Sequence, residues 1–85
     1  MQSYLVIFES QHNATNLINM IKAFTTWGKI TNTAWIVGSY TNAREIRDSL
    51  HKVAGPNDRI FVVKSGALAA WSNVHADSDW IKRNI

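Results

Sequence analysis

The stretch Ser3-Tyr-Leu-Val-Ile-Phe-Glu-Ser10 decides the fold. Tyr4 to Phe8 form an unbroken apolar run rich in β-branched and aromatic side chains, the composition of a buried strand. The run stops at an acid, Glu9, and the polar segment Ser10-Gln-His-Asn-Ala-Thr15 reads as a turn in which Asn13 or Thr15 can cap a helix. Leu17, Ile18, Ile21 and Phe24 then recur at helical spacing. Trp27-Gly28 marks the expected end of that helix, because glycine readily takes the left-handed conformation that terminates helices.

Further along, Lys29 to Asn32 reads as a brief polar strand and Thr33-Ala-Trp-Ile-Val37 as a stronger one. After Gly38-Ser-Tyr-Thr-Asn42, with Thr41 or Asn42 as cap, Ala43, Ile46, Leu50 and Val53 trace the apolar face of a second helix. Ala54-Gly-Pro-Asn-Asp58 is the strongest turn signal, and Arg59-Ile-Phe-Val-Val-Lys64 follows as a buried strand with charged ends. The order strand, helix, strand, strand, helix, strand predicts an α+β, ferredoxin-like βαββαβ fold. The first strand is then central in a four-stranded antiparallel sheet, and both helices lie on one face. Residues 1–64 make up this core. Residues 65–85 are a C-terminal extension packed on the core or on a partner protomer. Within it, Ala67 to Val74 is an extra strand or a loop, and Asp77 caps a short helix holding Trp80, Ile81 and Ile85.

The totals fit a single small domain. The chain has 85 residues, 46% of them hydrophobic and 18% charged, which is globular composition. No cysteine is present, which excludes disulfides, thiolate metal sites and a cysteine nucleophile. Nothing approaches the run of about 20 apolar residues that spans a membrane, and no secretory leader is evident, so a cytoplasmic location is expected. Nine Lys and Arg against six acids give a net charge of +3, a mild excess that permits phosphate contacts. No glycine-rich phosphate loop, zinc-ligand spacing or Ser-His-Asp order is present.

Several segments resemble the CRISPR-associated small adaptation-subunit family, and in particular its short stand-alone SinR-like relatives. They are the opening strand with its terminal acid, Ala34-Trp-Ile-Val37, Glu45-Ile-Arg47, Asp58-Arg-Ile-Phe-Val-Val63, Trp71 and Asp79-Trp80-Ile81-Lys82. The resemblance implies a ferredoxin-like homodimer. In members that cleave RNA or DNA, an Asp ending the first strand binds Mg²⁺ across the dimer axis. Other members only bind or scaffold. The matching position here is Glu9, whose extra methylene displaces the carboxylate by about 1.5 Å, enough to disturb a tight octahedral site.

Each candidate residue has an ordinary reading beside the functional one. Glu9 is either a Mg²⁺ ligand or a solvated carboxylate at a strand end, and His12, in the same loop, either a general base or a surface histidine. Arg44, Arg47 and His51 share one stripe of the second helix, which with Lys29 and Lys64 makes a candidate nucleic-acid surface. Within that helix, Arg44–Asp48 and Asp48–Lys52 are spaced for ordinary ion pairs. Trp35 belongs to the core and Trp27 covers its edge, while Trp71, Trp80 and Ile81 are placed at an interface or in tail docking.

Two functions follow. The favoured one is a homodimeric binding or scaffolding module with lost or weak nuclease activity and no required cofactor. Its partner is nucleic acid or a protein, the latter belonging to a phage-defence or anti-defence system. The alternative is a small Mg²⁺-dependent endonuclease using Glu9 from both protomers.

Overall fold

A computed structural model describes residues 1–66 and 69–85. Its elements are β1 (Gln2–Glu9), α1 (Ala14–Lys22), β2 (Thr26–Lys29), β3 (Ala34–Ser39), α2 (Ala43–His51), β4 (Arg59–Lys64) and α3 (Ser78–Asn84). The four strands form one sheet in the order β2-β3-β1-β4, with every neighbouring pair antiparallel. This is the expected ferredoxin-like arrangement, with β1 in the middle.

Strand alternation sorts the side chains onto two faces. Tyr4, Val6 and Phe8 of β1 lie beside Val37 and Trp35 of β3 and face the two core helices. Leu17 and Ile21 of α1 and Ile46 and Leu50 of α2 complete this core and are fully buried. α1 packs towards β2, whereas α2 packs on β4, so the helices divide the sheet between them.

Helix α2 starts as its sequence predicts: the Asn42 Oδ1 accepts the Glu45 N–H at 2.9 Å. Asn13 occupies the corresponding position of α1 without a capping side-chain bond. There the Ser10 hydroxyl accepts the Asn13 N–H at 2.8 Å, and the Asn13 amide is turned towards Gly55 and Asp58.

The first helix ends earlier than its sequence suggests. It closes through Ala23 and Phe24 N–H bonds to Met20 and Ile21, and Trp27-Gly28 lies inside β2 instead of terminating α1. No glycine among the described residues has a positive φ, so Gly28 is not a left-handed cap. Its lack of a side chain serves close packing: a Cβ at Gly28 would press into the Trp80 ring, 2.8 Å from two of its carbons. The second strand accordingly runs from Thr26, three residues before the expected start at Lys29.

The C-terminal extension crosses the sheet face opposite α1 and α2. The His75 N–H donates to the Ile30 carbonyl at 3.2 Å. Trp80 donates its indole N–H to the Thr26 hydroxyl at 3.2 Å, and Ile81 is only 1% exposed. Asp77 precedes α3 as expected, without a side-chain cap bond. Ala69 to Val74 form no strand, and Ala67 and Leu68, which share that expectation, lie outside the described residues. The extension leaves part of the outer face uncovered. Ile7, Phe61 and Val63 remain exposed there, Phe61 at 58%. β4 is therefore an edge strand with one open face, not a fully buried one.

Candidate functional site

At the end of the sheet where β1 finishes, the loops after β1 and α2 enclose an open cleft of about 750 Å³. Glu9, Ser10, His12, Asn13, Asp58 and Arg59 are among the residues that line it. Glu9 and Arg59 are cross-strand partners, and the Glu9 carboxylate lies 3.6 Å from the Arg59 guanidinium with both side chains well exposed. This pair follows from antiparallel register, which sets the last residue of β1 opposite the first of β4.

Asp58, which carried no functional reading in the sequence, is held in the cleft by the backbone of its own turn. Its carboxylate accepts the Gly55 N–H at 2.7 Å. That bond chiefly holds its pKa below the usual carboxylate value, against some desolvation; the Ser10 and Asn13 side chains and the nearby His12 act in the same sense. A Cβ at Gly55 would meet the end of the Asn13 amide, so the two loops pack closely there. The Asp58 carboxylate thus closes the loop after α2 on itself, with the Ser10 and Asn13 side chains of the loop after β1 nearby. Among the described residues no three His, Asp or Glu side chains gather into a potential metal site.

The basic residues fall into separate groups. Arg44, Arg47 and His51 lie exposed on α2. There Asp48 pairs with its neighbour Arg47, whose Nε and terminal nitrogen reach the same oxygen at 3.1 and 2.8 Å. This takes up the acid that spacing alone offers to Arg44 and Lys52. Lys64 is at the far end of β4 from Arg59, beside Tyr4 in register. Trp71 donates to the Ser78 hydroxyl at 3.1 Å within the extension, and Trp80 and Ile81 dock on the chain's own sheet.

The remaining group was only partly foreseeable. Trp27 and Lys29 of β2 lie opposite Val37 and Trp35 in register and share their face of the sheet. The Trp27 and Trp35 ring centroids are 5.7 Å apart, inclined at 48°. The Lys22 ammonium, from the last turn of α1, stands 5.1 Å from the Trp27 centroid and 6.0 Å from that of Trp35. The Lys29 ammonium is 5.9 Å from the Trp35 centroid. These are cation–π distances. Trp35 is 3% exposed and Trp27 39%, so one ring anchors the group and the other presents a surface. The Trp35 indole N–H is buried and has no acceptor among the described residues. Lys29 was recognisable as basic, but its meeting with Lys22 and two tryptophans depends on Trp27 belonging to β2 rather than to α1.

No protein-family model matches the chain, and no curated protein or solved structure is detectably similar to it.

Proposed function

We propose that the chain is a nucleic-acid-binding module of ferredoxin-like fold that acts as a homodimer and does not cleave its ligand. The observation that carries this reading is the β2-side cluster, where the Lys22 ammonium stands over the partly exposed Trp27 indole and the Lys29 ammonium over its buried neighbour Trp35. Two cations beside an aromatic face offer both components that nucleic acid asks of a protein, phosphate neutralisation and a stacking surface. The basic balance of +3 supports the same partner. The uncovered apolar residues Ile7, Phe61 and Val63 support association with a second copy.

The nuclease alternative has less support. Glu9 is paired with Arg59, and the nearby acid Asp58 is committed to the Gly55 backbone. The membership suggested by sequence resemblance remains a proposal of kinship and contributes no catalytic residue beyond Glu9. Binding is tested by fluorescence anisotropy with labelled oligonucleotides over a salt series. Phosphate contacts require affinity to fall steeply as salt rises. A chain that captures neither RNA nor DNA at low salt is not a nucleic-acid-binding module, and a protein partner then takes precedence.

A further inference from the structure

We infer that the β2-side cluster selects unpaired nucleic acid, with a base stacked on Trp27 and the adjoining phosphates held by Lys22 and Lys29. This rests on the nucleic-acid reading above and specifies the form of ligand that the surface takes. The Trp27 ring is the partly exposed member of a tilted aromatic pair, supported from within by the buried Trp35 ring. Its position on the edge strand β2, at the border of the sheet, leaves it open to a ligand from outside. A duplex conceals the faces of its bases within the stack, whereas an unpaired strand offers them, so an exposed indole discriminates between the two.

The charge pattern points the same way. The ammoniums of Lys22 and Lys29 are both cationic donors at this corner. A corner with this excess of donors favours an anionic occupant. Lys22 approaches from α1 and Lys29 from β2, so cations from two elements border the same indole pair. Among the described residues neither Arg44 nor Arg47 stands over an aromatic ring, and Arg47 is paired with Asp48. It lacks the stacking component.

The test compares an oligothymidylate of about 12 nucleotides, within the range of single-strand site sizes, with a duplex of equal length. The single strand should bind the wild-type chain at least about tenfold more tightly and quench its tryptophan fluorescence. Loss of one stacked base corresponds to roughly 5- to 150-fold, so Trp27→Ala should weaken single-strand binding within that range and leave the duplex unaffected. Trp27→Phe, which keeps an aromatic face, should retain most of the affinity; Trp27→Leu, which keeps apolar bulk without an aromatic face, takes the place of Trp27→Ala if that variant fails to fold. Equal binding of strand and duplex, or equal binding by Trp27→Phe and by a folded Trp27→Ala, overturns the selectivity while salt-sensitive binding survives. Absence of binding by either form ends the broader reading as well.

Discussion

Asp58 shows how a residue with no motif around it can organise a site. Its carboxylate is bonded most directly to the Gly55 N–H, and its pKa is depressed. A depressed folded pKa contributes stability that is complete above the unfolded carboxylate value of about 3.9 and disappears as pH falls through the lower folded value. Asp58→Asn should therefore lower Tm by a constant amount between neutrality and mildly acidic pH. The gap to wild type should close below about pH 4, where the unfolded-state carboxyl protonates. A gap that stays unchanged to pH 2.5 would mean that the charge of Asp58 plays no part. Glu9 is a contrasting case. An exposed pair with Arg59 at 3.6 Å contributes under about 1 kcal/mol, so Glu9→Gln should shift stability by only a few tenths. Under the binding-module reading, wild type and Glu9→Gln should also behave alike when incubated with RNA or DNA and Mg²⁺ or Mn²⁺. Divalent-dependent cleavage lost in the variant would restore the metal role.

Among the elements, α2 and β1 were readable from local signals and β2 was not. Asn42 and the apolar spacing of Ile46 and Leu50 act within one helix, so their meaning is contained in the sequence around them. Gly28 looks locally like a helix stop, but its function is set by Trp80, 52 residues away, whose ring occupies the space a side chain would need. Long-range packing of that kind leaves no periodic signature. It also makes a sharp prediction, since a methyl group at Gly28 must displace a ring that bonds Thr26 and sits beside buried Ile81. Gly28→Ala should cost about 1–3 kcal/mol in denaturant unfolding and loosen α3, seen as a change in near-ultraviolet tryptophan signal. A variant as stable as wild type, with the same spectrum, would show that α3 is not held by this contact. Gly66, where a Cβ would meet nothing within 4 Å among the described residues, provides a neutral control in Gly66→Ala.

For the molecule as a whole, the topology was legible because the strand-helix order admits few chain paths, and β1 had to be central once both split βαβ units formed. The distribution of charge was not legible, because it depends on which element each lysine ends up beside. Arg59 and Lys64 bracket the edge strand β4, and charges there discourage edge-to-edge pairing. A second copy is therefore expected to use the outer face around Ile7, Phe61 and Val63. Sedimentation should show a dimer in the wild type and a shift towards monomer in Phe61→Glu; a wild-type monomer at tens of micromolar would remove that face as a self-association surface.

The most direct measurement is the salt dependence of single-strand affinity for wild type and for the paired variants Lys22→Ala/Lys29→Ala and Arg44→Ala/Arg47→Ala. Each phosphate contact contributes about 0.7 to the slope of log affinity against log salt for single strands. If the ligand lies on the β2-side cluster, the lysine pair should reduce the slope by up to about 1.4 and weaken binding, while the arginine pair leaves the slope near the wild-type value. An unchanged slope in the lysine variant, or a loss confined to the arginine variant, would contradict a nucleic-acid surface at β2.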